Sequence, residues 1–500
     1  MGDRVVPRSH VVTAANLSMA GAKPDGNPVR RLGVRLVVVV LAVVVLSLVG
    51  CSGDGDAPKD GSASSASTAS PVGSGPVIRV PQDHPTVQEA VDSARPGDMV
   101  LIAPGTYEES VDVEVPDITI RGVDRNQVIF DGGFKLENGI RVLDTDGVVV
   151  ENLTVRNYTG NGVFWTGSDR YRGSYLTVYR NGDYGIYALD SYHGMIDNSL
   201  GSGNKESAVY VGQCFPCDTV VDGVVGEYNG VGYSGTNSGG DLYIVNSTFR
   251  FNRVGLLPTS GSYELCYPGR STVIVGNIVH DNNYRDGPCF RDAYVKQGNG
   301  IVVFGSLDNR VERNLVYDHD RTGISVLPYL ERDATDGPPP AADLERPCRE
   351  VTEESIPEEP VGPVVWDATG NRIIANRVFG SGIVDLAVGY ERDPMPGLAL
   401  SGAGNCFSDN DVTLTAPPAL QEIIPCDRPG NGADLSEGGM DFGPFVSDQP
   451  PRADPNAYRS TPVPGPQPNM PDARSAPHPR FTRPVRPDLD AIVVPDRPAE

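Results

Sequence analysis

Asn157, Asn181, Asn204, Asn229, Asn252 and Asn282 fall 24, 23, 25, 23 and 30 residues apart, each just after a short strand-like run such as LTVR, YIVNSTFRF or VIVGNIVHD. A second marker keeps the same period. A small residue precedes an apolar one at Gly139-Ile140, Gly162-Val163, Gly185-Ile186, Ala208-Val209, Gly232-Tyr233, Gly255-Leu256, Gly300-Ile301, Gly323-Ile324 and Gly382-Ile383; most steps are 23, and the two long ones contain loop insertions. A fixed period of this size specifies a solenoid, and two β-branched runs per repeat with turn residues between them make its units strands rather than helices. The expected fold is all-β, a single-stranded parallel β-helix. With rungs about 4.8 Å apart, roughly nine coils make a rod on the order of 40 Å long. Asn at a repeated turn tolerates the left-handed conformation, and stacked amides bond to the rungs above and below, so the six asparagines read as a structural ladder.

The N-terminus bears on where such a rod would work. Arg30, Arg31 and Arg35 precede an apolar run at 36–50, short for a membrane span and suited to the apolar core of a signal peptide, which predicts residues 1–50 to be a signal peptide and the protein to be exported. The run closes on Leu48-Val49-Gly50-Cys51, which resembles the lipobox of bacterial lipoproteins. That resemblance implies cleavage before Cys51 and diacylation of its thiol, leaving the protein anchored to the outer face of the cell membrane. The basic leader is long, and Met19 is an alternative start. Residues 51–76 are a Gly/Ser/Ala-rich tether without apolar period.

The rod is expected over 77–440. Residues 86–94 read as a short amphipathic helix capped by Thr86, with Glu89 three residues on and Val87, Ala90, Val91 and Ala94 on one face. This helix, followed by PGDMVLIAPGTYEE at 96–109, resembles the N-terminal cap and first coil of the pectin-lyase-like superfamily of right-handed parallel β-helices. The resemblance covers roughly residues 77–415 and implies a fold, because the superfamily spans lyases, hydrolases, esterases, epimerases, adhesins and copper-delivery proteins. Residues 441–500 hold fifteen prolines without period and read as an extended, largely disordered tail, with packing of part of it along the rod left open.

Outside residues 1–50, 35 basic residues face 63 acidic ones, a net charge of −28. That balance argues against nucleic acid or an anionic membrane surface as a partner, and against a polyanion unless a local basic patch intervenes. A monomer is expected. Two insertions interrupt the period: one is spread over 262–270 and 284–299, and the other, 331–363, is acidic and proline-rich with the composition of a tolerated surface decoration.

Seven cysteines follow Cys51, and export makes disulfides their default. The expected pairs are Cys266 with Cys289, and Cys214 or Cys217 with a neighbour; zinc and a redox role for Cys214-Phe215-Pro216-Cys217 remain as alternatives. The odd count leaves one thiol over. The characteristic residue sets of the superfamily's hydrolases, epimerases and calcium-dependent pectate lyases are missing, and the histidines are too scattered for copper delivery. No cofactor or metal is expected, with a divalent cation reserved for the case of a lyase.

The remaining candidates for chemistry are Asp190 and His193 in a turn of the third coil, with Arg291 and Lys296 in the loop 284–299. There a cation pair would hold a sugar acid or hydroxyl while a His or Asp moves a proton. His319 falls at the ladder position and reads as a substitute for Asn. Tyr158, Phe164, Trp165, Tyr171, Tyr175, Tyr179, Tyr184, Tyr187, Tyr192, Tyr210, Tyr228 and Tyr233 crowd the middle coils, where rings offer stacking platforms for pyranose faces. The reading is a surface-tethered β-helix that binds polysaccharide without catalysis, with a lyase, hydrolase or epimerase as the alternative.

Overall fold

A computed structural model describes residues 75–288, 297–351, 357, 359–390, 403–428, 440–441 and 454–498. The chain divides into two compact units, Met1–Thr68 and Ala69–Glu500, and the described residues all belong to the second. The signal peptide, Cys51 and residues 51–74 of the tether lie outside them.

The rod is a right-handed parallel β-helix with three strands per coil rather than two. VVVENLTVR is one run in the sequence, yet it gives two strands, Val149–Glu151 and Thr154–Arg156, before Val163–Thr166 completes the coil. The break falls at Asn152, whose φ of 57° turns the chain sharply. Left-handed Asn198 and Asn246 and glycines Gly223 and Gly276 repeat that corner. Stacking the coils gives three parallel sheets. Sheet A has twelve strands, from Val77–Val80 to Cys406–Ser408; sheet B has ten, from Gly105–Tyr107 to Arg377–Phe379; sheet C has twelve and includes Val163–Thr166. The rod is therefore longer than nine coils, about 50 Å at the usual rung spacing. Its extra rungs lie at the ends, where the small-residue marker is absent.

Stacked amides fix the corner between sheets B and C. The Asn229 carbonyl oxygen accepts from the backbone N–H of Asn204 at 2.8 Å and from its amide at 3.0 Å, and the Asn229 amide donates to Gly201 O at 3.0 Å. The pattern runs through Asn181, Asn204, Asn229, Asn252 and Asn282, and Asn282 then meets the ring of His319 at 3.1 Å. Burial lowers the His319 pKa to about 3, so the ring is neutral and fills an asparagine's place. Asn157 is not in the ladder. It sits one residue early, at the left-handed position (φ 62°), and its amide bonds Asp131, so Tyr158 takes the ladder place. The small-residue marker has the same cause: a Cβ at Gly185 would lie 2.7 Å from Ala208 O and 2.8 Å from the Asn204 amide.

Two further ladders escaped the period count. Asn277, Asn314, Asn376 and Asn410 stack at the corner between sheets A and B, and Asn309, Asn371 and Asn405 at the corner between C and A. Both ends of the rod are closed. Helix α1, Val87–Ser93, buries Val87, Ala90 and Val91 over the first coil, and the Thr86 side chain caps it as expected. At the other end Gln421, in the short helix Leu420–Ile423, receives the Asn410 amide at 2.9 Å, and the disulfide Cys406–Cys426 ties that helix to the last coil.

The tail lies along the rod, the arrangement that the sequence left open. Residues 454–498 form a strap against the rod. Extended proline-rich chain exposes carbonyls it cannot satisfy itself, and the rod supplies arginines for them. Arg180 donates to Thr461 O, Arg125 to Pro468 O, Arg121 to Ala476 O and Pro477 O, and Arg313 to Leu489 O. The strap's own arginines meet rod carboxylates, Arg486 with Asp241 at 2.6 Å and Arg497 with Asp318 at 3.1 Å. Leu489 and Ile492 pack on Val245, Val273 and Val275, which face outward from sheet A. These contacts fall on sheets A and B and their corners.

Removing one ladder amide leaves several buried polar groups unpaired. Asn229→Ala should destabilise the rod by about 3 kcal/mol, seen as a lower Tm in thermal unfolding. An exposed substitution such as Glu359→Ala should leave Tm unchanged.

Candidate functional site

Side chains alternate across each strand of sheet C. Val163, Ile186 and Val209 point into the core, which sends their paired neighbours Phe164, Tyr187 and Tyr210 outward in one row. Tyr184 joins the row at the edge nearest sheet B. Its ring lies 4.8 Å from those of both Tyr187 and Tyr210, and Tyr187 stacks on Tyr210 at 4.9 Å. The Tyr210 hydroxyl donates to both oxygens of Glu264, at 2.5 and 2.6 Å. Burial, with the nearby charges of Glu264, Glu206 and Asp183, holds the Tyr184 phenol well above its ordinary range; burial with Glu264 and Asp183 does the same for Tyr187. All three tyrosines are neutral hydrogen-bonding groups at physiological pH.

Several polar groups in this row have no protein partner among the described residues. The hydroxyls of the half-buried Tyr184 and Tyr187 make no hydrogen bond, and no donor reaches the half-buried Asp183 carboxylate. Burial lifts Asp183 to about 6, with Glu137 adding to the shift and Lys205 opposing it. Of the rings expected as platforms, Tyr158, Trp165, Tyr171 and Tyr233 are fully buried inside the rod, and Tyr210, although it faces outward, is only 2% exposed.

At the far edge of the same strands, the corner between sheets C and A, stand Asp190 and His193. Burial raises Asp190 to about 6, against the hydrogen bond from Tyr192 (3.0 Å) and the charge of Arg349. His193 Nδ1 pairs with Asp169, and its Nε2 lies 3.7 Å from Asp218. Arg349 joins the two groups, 3.2 Å from Asp169 and stacked over the Tyr192 ring at 4.3 Å. Burial works against the Asp169 anion, but His193 and Arg349 outweigh it and hold that carboxyl below its usual range.

Arg349 belongs to the acidic insertion, which is therefore not loose decoration. Cys266 pairs with Cys348, not with Cys289, and Cys214 pairs with Cys217. The reason is which corner each loop leaves from. Residues 262–270 and 331–363 both emerge between sheets C and A, whereas 284–299 emerges between B and C. Cys289, Arg291 and Lys296 lie outside the described residues. Tyr284 and Gln297, flanking them, stand at the edge of sheet C opposite Asp190 and His193, so the four residues expected to share a cleft do not issue from one corner.

The row Phe164, Tyr187, Tyr210 was legible, because each ring follows its coil's small residue (Gly162, Gly185, Ala208) by two positions. Glu264 and Arg349 were not, since insertions deliver both. Asp183 and Asp190 bracket one strand of sheet C, Ile186–Leu189. Seven residues of extended chain span about 20 Å, beyond the roughly 5–9.5 Å that a glycosidase carboxyl pair needs. Among the described residues, no group of three or more His, Cys, Asp or Glu is placed to hold a metal ion.

Residues 119–327 match the model of a family described as a right-handed beta helix region. No curated protein matches the chain. Solved structures with a similar course include the A-module of mannuronan C-5 epimerase AlgE4 from Azotobacter vinelandii, 14% identical with TM-score 0.41, where 65% of this chain covers 90% of that one. An alginate lyase from Paenibacillus sp. str. FPU-7 is 16% identical with TM-score 0.37, over 62% of this chain and 97% of its own. Pectate lyase Pel9A is 12% identical with TM-score 0.34, over 74% and 86% respectively.

The raised Asp190 carboxyl sets a pH dependence. Its folded pKa of about 6 exceeds an unfolded value near 3.9, so between about pH 4 and pH 6 the folded state binds more protons and stability from this group falls as pH rises, then levels off. Asp190→Asn removes that contribution while an amide oxygen still accepts from Tyr192. The Tm difference between variant and wild type should widen in the variant's favour from pH 4 to pH 6.5; parallel curves would show that burial does not penalise this carboxylate.

Proposed function

We propose that this protein binds an extended polysaccharide on the outer face of sheet C, across Tyr184, Tyr187 and Asp183, and that binding rather than bond cleavage is its role. The observation carrying this is the set of unpartnered groups, the Tyr184 and Tyr187 hydroxyls and the Asp183 carboxylate, grouped on a rigid aromatic row. Sugars present hydroxyls that donate and accept in close pairs, which suits such a surface, and tyrosines lose little entropy when they bind. The strap's contacts occupy the other two sheets, and the repeating rungs suit a repeating polymer.

Catalysis has less support. The two carboxyls raised toward 6 are too far apart to act on one bond, and neutral phenols can donate a proton but do not start as bases. The specific observation favouring an enzyme is the Tyr210–Glu264 hydrogen bond, a ready proton-transfer pair. Incubation with candidate glycans followed by product analysis decides between the two roles; new chain ends or inverted centres would establish turnover. The same proposal places the protein outside the cell, held by lipid on Cys51, so that Cys51→Ala should release it or leave the precursor uncut.

A glycan array followed by titration calorimetry on the best ligand tests the site. Tyr187→Ala should weaken binding about tenfold, the size of one aromatic contact, while Arg250→Ala on sheet B should not. Equal affinity in wild type and Tyr187→Ala would move the site elsewhere.

A further inference from the structure

The open face of sheet C stops at a wall, which bears on the part of a glycan it takes, an inference that rests on the glycan-binding reading. Along Ile140–Leu143, Val163–Thr166 and Ile186–Leu189, the residues Leu143, Thr166 and Leu189 pair in one outward row and are partly exposed. Val142, Trp165 and Ala188 between them face the core. In the next coils every residue of Ser207–Gly212, Val231–Thr236, Val254–Thr259, Asn299–Phe304 and Thr322–Leu327 is buried. The outward row itself keeps its register through the change, Leu189 beside Gly212, then Thr236, Thr259, Phe304 and Leu327 in turn. A sheet that passes from one buried face to two has something laid over it.

The loop 262–270 and the hairpin of Tyr329–Ala334 and Gly362–Trp366 meet at that step. Glu264 holds the Tyr210 hydroxyl, and the Tyr329 ring lies 4.7 Å from that of Phe304. Ser262 and Trp366 both donate to Glu331, at 2.9 and 2.8 Å, which ties loop and hairpin into one body. Tyr184 and Tyr187 are therefore the last open rings before the wall; Phe164, edge-on to Tyr187, is itself nearly buried. In the other direction the face stays open as far as Arg141 and Asp112, whose side chains are 39% and 48% exposed.

A polymer lying along the rod on this face stops at Tyr210. An internal segment needs a way out in both directions, whereas a chain end needs only one. We infer that the site takes the end of a polysaccharide, with the terminal sugar on Tyr184 and Tyr187 against the wall at Tyr210 and the rest of the chain leaving over Thr166 and Leu143 toward the N-terminal cap. The insertions thereby convert an open solenoid face into a blind groove, the usual way a rigid scaffold acquires selectivity from its loops.

The test counts proteins per glycan chain. Hexamers of β-1,4-glucan, β-1,4-mannan, chitin and α-1,4-galacturonan, each beside its long soluble polymer, are titrated into the full chain by calorimetry. For whichever glycan binds, one protein should bind per chain at both lengths, so that equal masses of hexamer and polymer differ in capacity by the ratio of their ends. Tyr187→Ala, checked for unchanged Tm, should weaken hexamer and polymer alike, by about tenfold. A number of bound proteins that rises with chain length overturns the inference and leaves glycan binding standing, because the chain would then pass across the site. Polymer binding that survives intact in Tyr187→Ala while hexamer binding falls also overturns it, since the polymer would be held elsewhere. If no hexamer or polymer binds and the array is blank, the glycan-binding reading falls as well.

Discussion

A buried amide is costly unless its hydrogen bonds are made, and this rod is organised around meeting that condition at each of its stacked asparagines. At each corner an Asn oxygen takes N–H groups from one coil while its amide gives to a carbonyl of another. The coil length is thereby fixed, since a residue added between corners would move every later amide out of reach. That explains why the period holds at 23 through the middle coils, and why added chain leaves at corners, where 262–270, 284–299 and 331–363 all emerge. The neutral, buried His319 marks a looser rung: its Nε2 takes the Asn282 amide, while its Nδ1 meets no partner among the described residues.

Regular coils create a second problem, which the C-terminal strap answers. Outward-facing arginines such as Arg121, nearly fully buried beside Glu151, would be stranded without further acceptors. Proline-rich chain has spare carbonyls and few donors, so rod and strap complete each other's hydrogen bonding. The same contact covers Val245, Val273 and Val275, an apolar patch that bare sheet A would expose.

Sheet C departs from this economy. Its outward row holds the Tyr184 and Tyr187 phenols and the Asp183 carboxylate without hydrogen-bond partners among the described residues, in the stretch where the rings are stacked. These open groups stand together on one outward row, whereas other buried side-chain atoms without a hydrogen bond among the described residues, such as Ser202 Oγ and the Tyr233 hydroxyl, are scattered through the rod. The cluster of Asp169, Asp190, Tyr192, His193 and Arg349 at the opposite edge differs, because its members largely satisfy one another.

The sequence by itself determined the solenoid, its β character, the N-terminal cap, the main amide ladder and the phase that puts Phe164, Tyr187 and Tyr210 on one line, because all of these are periodic and a period survives without coordinates. It missed the third strand of each coil, since the left-handed corner at Asn152 lies inside an unbroken apolar run, and it put Asn157 in the ladder because a one-residue offset changes the role of an asparagine without changing its spacing. Tertiary structure alone decided what the insertions and the tail do. Cys266 meets Cys348 across 82 residues, Glu264 reaches Tyr210 across 54, and Arg121 binds a strap more than 350 residues away. Such pairings depend on which corner of which coil a loop leaves from and how far it folds back, geometry that has no local signature in the chain.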